Sequence, residues 1–310
     1  MRVFLAGATG AIGRRLVPLL RAAGHEVTGM TRSPEKVDAL RASGCDAVVA
    51  DALDEEAVTT AVAEARPDAV IHQLTALPQR IDPRTIQRDF VLNDRLRSEA
   101  TGMLVRAAEA AGASRIVAQS IAFAYAPGAP GTVHDEDDPL YLDSPEPFRR
   151  SVLAVAELER AVTEAGGVVL RYGYFYGPGS ALSREGSVAK DLARRRMPVV
   201  GSGAGVWSLV HVDDAARATL AALEHSGPGI YNVVDDEPAP VAQWLPALAA
   251  ALGAPRPMRV PTWLARPLAG SYGVQVMTRA QGASNARARR ELGWAPEHRS
   301  WREGFSAGLG

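Results

Sequence analysis

Three glycines decide what the start of this chain can become. In RVFLAGATGAIGRRLV, Gly7, Gly10 and Gly13 follow an apolar strand pattern and open a helix pattern that runs from Ala11 to Ala23 and ends at Gly24. Glycine at these points permits a tight turn, lets backbone approach a pyrophosphate, and lets the helix pack closely on the strand. The helix N-terminus then turns its free N–H groups toward an anion. The loop therefore predicts a phosphate cradle for a dinucleotide, built from Gly7, Thr9, Gly10, Ala11, Ile12 and Gly13.

The alternation continues. Strand patterns at RVFLAG (2–7), EVTGM (26–30), DAVVAD (46–51), DAVIHQL (68–74), RIVAQS (115–120) and GVVLRYG (167–173) are separated by helix patterns at Pro34 to Ala42, LDEEAVTTAVAEA, 91 to 111 and Ser151 to Ala165. Short apolar strands joined by helices imply a parallel sheet covered on both faces. The expected fold class is α/β, a doubly wound, Rossmann-type parallel sheet. Pro and Gly then punctuate the chain at GPGS (177–180), GSGAG (201–205), GPG (227–229), DEPAP (236–240) and GAPRP (253–257). This predicts a dinucleotide-binding domain over 1–175 and a smaller substrate lobe within 176–310, with some segments returning to the main sheet. The polar loop from Pro127 to Pro147 reads as a mobile flap.

Composition narrows the partners. A chain of 310 residues, 47% of them apolar, can bury a full core. It has no apolar run of membrane-spanning length and no signal-peptide cleavage region, so the expectation is a cytoplasmic protein with no membrane partner. A dispersed net charge of -1 gives no footprint for nucleic acid. The one cysteine, Cys45, excludes an internal disulfide and a thiolate metal cluster, and no His, Asp and Glu set has metal-site spacing. What remains is a small-molecule substrate, with monomer and homodimer both open.

The order of the motifs resembles the extended and atypical short-chain dehydrogenase/reductases, the superfamily that contains the NAD-dependent epimerase/dehydratases. GATGAIG is similar to their TGxxGxxG loop, and Asp51, with Ala52 and Leu53 beside it, to their adenine-contacting Asp. VIHQLTA, which carries Leu74 and Thr75, resembles the segment passing the nicotinamide ribose. LRYGYFYGPG, which carries Tyr172, resembles LRPGNVYGPG, and SLVHVDDAARATLAALE and ASNARARRELGWAP resemble the family's HVDD and LGW-P segments. These matches span nearly the whole chain. At the end of the second strand, where NAD enzymes place an acid to accept from the ribose 2′-hydroxyl, this chain has Thr31 followed by Arg32. Arg32, with Arg14 beside the last glycine, suits a 2′-phosphate, so NADP(H) is expected over NAD(H).

The resemblance also implies a Tyr and a Lys four residues on, sharing one helix face, and a Ser or Thr on the fifth strand. EPFRRSVLAVAE aligns with the family's PYxxSKxxAE and puts Phe148 at the Tyr and Val152 at the Lys. The only lysines are Lys36 and Lys190, preceded four residues earlier by Arg32 and Gly186, so no Tyr-x-x-x-Lys pair exists in the chain. Phe148, Val152 and Val155 instead form an apolar stripe. QSIAFAYA resembles SSxxxYG with Ser120 at the first serine and Ile121 at the catalytic one.

Replacements are sought on the sheet rim. Tyr125 follows the fifth strand and Tyr174 the sixth, where ligands bind in open α/β sheets. Tyr125 is the expected acid, with Ser120 as a second catalytic candidate and Arg149 and Arg150 as nearby charges. Phe148, Val152, Tyr174 and Trp207 are expected to line the substrate pocket. Trp207, in place of a polar contact common in sugar-nucleotide enzymes, argues for a less charged substrate. His72, and His211, Asp213 and Asp214 of HVDD, read as structural. The expected function is an NADP(H)-binding oxidoreductase or epimerase-like enzyme, acting on a carbonyl or secondary alcohol in an apolar pocket. The alternatives are a non-catalytic dinucleotide sensor or regulator, and a cofactor-assisted isomerase or lyase.

Overall fold

Parallel strands need a crossover to bring the chain back, and this requirement organises the computed structural model. It describes residues 1–310 except 79, 81, 83, 84, 130, 308 and the side chain of 268. Seven strands form one sheet in the order Gly229–Val233, Val168–Tyr172, Arg115–Ile121, Ala69–His72, Arg2–Ala6, Glu26–Thr31, Asp46–Val49. Every pairing is parallel. The chain builds outward from the first strand in one direction, then returns to its other side, so the crevice between the two windings opens at the carboxyl ends of the strands. The seventh strand, Gly229–Val233, comes from the Pro- and Gly-punctuated half, from which some segments are expected to return to the main sheet although the sequence reading names no strand there. The helix expected from Ser151 starts earlier and runs Phe148–Glu164.

Alternation along the strands divides the core into two layers. Val3 and Leu5 face the helices Gly13–Ala22 and Val212–Glu224, packing with Leu16, Leu20 and Ala215. Phe4 and Ala6 face the other side, with Val58, Leu104 and Leu158 from the helices Glu55–Ala65, Val91–Ala110 and Phe148–Glu164. A third apolar cluster, including Tyr176, Trp244, Leu248, Trp301 and Phe305, lies in the second half. No described helix is long and apolar enough to cross a membrane.

The segment expected as a mobile flap is tied down instead. Val133–His134 pairs with Gly282–Ala283, the Gln281 side chain accepts from the Gly128 amide and donates to the Ala129 carbonyl, and the Glu136 carboxylate accepts from the Asn232 amide. Part of its polarity thus serves hydrogen bonds that tie it to the fold, while Asp135, Asp137, Asp143 and Glu146 remain exposed.

One buried ion pair joins these parts. Arg171 of the sixth strand forks onto Glu159 of the helix Phe148–Glu164 through bonds of 2.8 and 2.6 Å, and the side chains are only 4% and 6% exposed. Ser120 Oγ donates to the same carboxylate at 2.6 Å, and the other arm of Arg171 reaches the Tyr125 hydroxyl at 2.9 Å and the Glu136 carbonyl at 3.3 Å. Burial would lower the guanidinium pKa, but the hydrogen bonds and charge of Glu159 outweigh it and raise the value. Removing one partner leaves the other charged, buried and unpaired. Glu159→Ala should therefore lose about 3–5 kcal/mol in urea unfolding, while the paired replacement Glu159→Met with Arg171→Met loses less. Equal losses for the two variants would show that the pair itself is not what the fold depends on.

Candidate cofactor cleft and aromatic pocket

The glycine loop has no room for side chains. Gly7 sits at φ +94°, where a Cβ would lie 2.6 Å from the Gln73 carbonyl oxygen, and a Cβ on Gly13 would run into the Gly7 carbonyl. The helix Gly13–Ala22 begins at Ile12, whose side chain cannot cap it; the Arg14, Arg15 and Leu16 amides bond to the Gly10 and Ile12 carbonyls, and the Ile12 and Gly13 amides, without a partner among the described residues, remain for an anion. Arg15 secures the loop by donating to the Ala11 and Pro178 carbonyls at 2.9 and 2.6 Å and pairing with Asp213. This is a cradle that a dinucleotide pyrophosphate fits.

The other expected cofactor residues lie on the same strand edge. The Asp51 carboxylate is exposed and accepts from the Leu53 amide at 3.0 Å; Ala52 is buried and Leu53 half-buried. The Leu74 amide donates to His72 Nδ1, leaving Thr75 exposed beside it. Thr31 is buried and accepts from the Ser33 amide, whereas Arg14 and Arg32 are exposed, with no ion-pair partner among the described residues. Tyr172 differs from the expectation. Its ring is 1% exposed and its hydroxyl is held by Gln73 and Thr219 at 3.1 and 2.7 Å, so its side chain belongs to the core. Sequence reasoning missed Asn93 and Arg97, one turn apart on the helix Val91–Ala110. Asn93 supports the Ala76 amide, while Asn93 Nδ2 and Arg97 Nε are buried without partners among the described residues. Two orphaned donors beneath this loop fit a hydroxyl-rich ligand. Nothing in the sequence singled them out, since Asp94, Arg95, Ser98 and Glu99 stand beside them on the same helix.

A second cavity lies past the ends of the fifth and sixth strands, walled by Phe123, Tyr125, Tyr141, Phe148, Tyr174 and Tyr272. Phe148 stacks on Tyr272 at 4.3 Å, and Phe123 on Tyr174 at 4.2 Å. Trp207 stacks behind Tyr174 at 3.9 Å, with its indole N–H on the Val276 carbonyl, so it supports the wall rather than forming it. Val152 is likewise one layer back. It is fully enclosed in a cluster with Ile121, Ala124 and Val155, against which Phe148 and Phe123 pack. The positions that the resemblance assigns to a catalytic Tyr, Lys and Ser are thus filled by one dry apolar unit.

Both expected replacements are committed elsewhere. Ser120 is 2% exposed and its hydroxyl is used on Glu159. Alternation turns it away from the cavity. Tyr125 presents its ring to the cavity, but its hydroxyl donates to Asn232 at 2.6 Å and accepts from Arg171. Burial pushes its pKa up to about 12 despite the Arg171 charge. Arg150 is paired with Asp94 and the Gln87 carbonyl. The phenols of Tyr174 and Tyr272, by contrast, have no hydrogen-bond partner among the described residues, and burial raises both pKa values, with Tyr174 adding its charge at Tyr272. Tyr272, Gln275 and Arg279 all line the cavity from the helix Thr262–Arg279. Their spacing of three and four is a helical face that was readable in the sequence and went unread.

The HVDD segment is a clamp. Asp214 is fully buried and accepts from Arg217, the Glu297 and His298 amides and His298 Nδ1, while Trp294 donates to its carbonyl. His211 stacks on His298 at 3.8 Å, and burial, then the charge of His298, lowers its pKa to about 4. His211, Asp214 and His298 have ligand atoms within 4.8 Å of one another, but both carboxylate oxygens are already spent on hydrogen bonds. The group holds the carboxyl-terminal segment to the sheet.

Comparison with known proteins agrees with this geometry. The family model of the NAD dependent epimerase/dehydratase family matches residues 3–233. The chain is 53% identical over 310 residues, 98% of itself and 99% of the relative, to a 3-diazoavenalumate denitrifying reductase from Streptomyces sp. It is 29% identical to the 2'-dehydrokanamycin reductase of Streptomyces kanamyceticus, covering 86% of this chain and 72% of that one. The structure of the UDP-glucose 4-epimerase of Thermus thermophilus in complex with NAD superposes with a TM-score of 0.76 at 27% identity, over 100% of this chain and 98% of the other.

The apolar unit can be tested by restoring what it replaced. Phe148→Tyr with Val152→Lys would bury an ammonium in a cluster without a carboxylate, so thermal unfolding should show a loss of several kcal/mol and turnover should not improve. A stable variant with much faster turnover would mean that the pair had only been lost from an ordinary dehydrogenase site.

Proposed function

Because the chain belongs to the NAD dependent epimerase/dehydratase family, we propose that it is an NADP(H)-dependent reductase that removes nitrogen from a diazo group carried on an aromatic ring. That it is an oxidoreductase- or epimerase-like enzyme follows from its reductase and epimerase relatives. One observation carries the finer reading. The cavity has aromatic walls and, among the described residues, no acid–base pair at the positions the motif assigns, which Ile121, Phe148 and Val152 occupy.

The chemistry explains why such a pocket suffices. Reducing a carbonyl creates an alkoxide, which must be given a proton, and positioned acids serve this purpose. An aryl diazonium group is already positive. It takes up a hydride and releases N2 to leave a neutral arene, so no oxyanion forms and no proton is delivered. NADPH supplies that hydride when bound, in the balance ArN2+ + NADPH → ArH + N2 + NADP+. The chain's own residues then bind and shield. The rings of Phe148 and Tyr272 line the cavity and attract a cation through their quadrupoles, while Tyr174 is held between Phe123 and Trp207 as part of the wall. The dry layer of Ile121 and Val152 behind them keeps out water that would capture a diazonium.

Arg14 and Arg32 support the choice of NADPH, as exposed guanidiniums on the rim of the cradle beside Thr31, which lacks the carboxylate that accepts from a 2′-hydroxyl in NAD enzymes. A second reading, carbonyl reduction, is favoured by the free phenols of Tyr174 and Tyr272, either of which stands ready as a donor.

Purified protein should oxidise NADPH with an arenediazonium and release N2 in equal amount. Tyr125→Phe should keep that turnover within several-fold of the wild type, and the rate should show no acid limb between about pH 6 and 8. A fall of roughly 10²–10⁴ in Tyr125→Phe would return the acid to Tyr125, and consumption of ketones in preference to diazonium salts would favour the second reading. For the cofactor, Arg32→Ala should cost roughly 1–3 kcal/mol in calorimetric affinity for NADPH and little for NADH. Equal losses for both would remove the 2′-phosphate from Arg32.

A further inference from the structure

The aromatic cavity has a polar end that the reduction does not use. On the helical segment after the kink at Gly270, Tyr272, Gln275 and Arg279 line the cavity in succession. Tyr272 meets Phe148 in the aromatic part, whereas Arg279 is exposed at the end of the helix. Neither Gln275 nor Arg279 has a side-chain hydrogen bond or ion pair among the described residues, although many arginines of this chain are paired. No aspartate or glutamate is among the described lining residues, and the lining histidine, His134, is bonded to Asp138 at 2.8 Å. The cavity therefore has a cation-attracting aromatic end and one uncompensated positive charge at the other.

We propose that Arg279, with Gln275 beside it, binds a carboxylate on the substrate and so selects and orients aromatic acids in this pocket. The inference rests on the reading of the pocket as the substrate site and extends it to a substrate class. A guanidinium binds a carboxylate through two parallel N–H···O bonds, which fixes direction as well as affinity. It also repels a diazonium, so a substrate bearing both groups enters with its diazo end toward Phe148 and Tyr272. Seven residues separate Tyr272 from Arg279, a helical rise of about 10 Å, so the preferred carboxylate stands several bonds beyond the ring rather than directly on it.

The test reads binding on the cofactor-free protein with a stable ligand, a 3-arylpropenoate, against its methyl ester. The acid should bind at least about tenfold more tightly than the ester, and the preference should shrink as salt is raised. Arg279→Gln should abolish the preference, and Arg279→Lys should restore part of it. Equal binding of acid and ester by the wild type, or a preference that survives Arg279→Gln, overturns the assignment. Turnover separates this from the reading beneath it. Acid preference without N2 release from any arenediazonium would sink the proposed reaction and leave Arg279 as the anion site. N2 release with no acid preference would do the reverse.

Discussion

The bidentate pair between Arg171 and Glu159 sets the terms for the rest of the molecule. Two charges taken out of water are costly, and their mutual attraction offsets that only if every remaining polar atom finds a partner. Here the partners are Ser120, Tyr125 and the Glu136 carbonyl, drawn from the fifth strand, the rim beyond it and the loop over it. The Tyr125 hydroxyl passes the network on to Asn232 of the edge strand, whose amide returns to Glu136. The network thus fastens helix, sheet and loop together on one side of the pocket. It also takes up the hydroxyls of Ser120 and Tyr125, so the chemistry has to work without them.

The cofactor cleft depends on a second, longer-range constraint. Arg15 joins the first helix to Asp213, and Asp214 gathers Arg217, His298 and the amides of the carboxyl-terminal segment. A loop that must bring backbone onto a pyrophosphate is in this way held by residues far away in the chain. The aromatic cavity is assembled on the same plan, with Phe148 from one half of the chain stacked on Tyr272 from the other. Neither part of the site exists without the packing of the second half against the sheet.

Much of this was legible because the signals were local. Gly7, Gly10 and Gly13 marked the cradle through sterics that act within a few residues, and apolar strands of β-branched residues marked the sheet. The loss of the Tyr and Lys positions was visible by inspection. What the sequence hid was direction and partnership. Whether Ser120 faces the cavity depends on the phase of one strand, and whether the Tyr125 hydroxyl is free depends on Arg171 and Asn232, residues 46 and 107 positions away. The edge strand Gly229–Val233 was obscured by the glycines and proline before it. The loop 127–147 was read as mobile from its polarity, since the groups that bind it, Gln281 and Asn232, lie far along the chain.

The cluster of Ile121, Val152, Val155 and Phe148 has a consequence for how the chain tolerates substitution. Its members pack against one another, so a change toward the Tyr and Lys pair one residue at a time meets opposition at every step. A hydroxyl regained alone would stand without a partner, and an ammonium regained alone would stand without a counter-charge. A site packed in this way resists the Tyr and Lys that the motif would otherwise place there. Packing here makes the pair reachable only by concerted change.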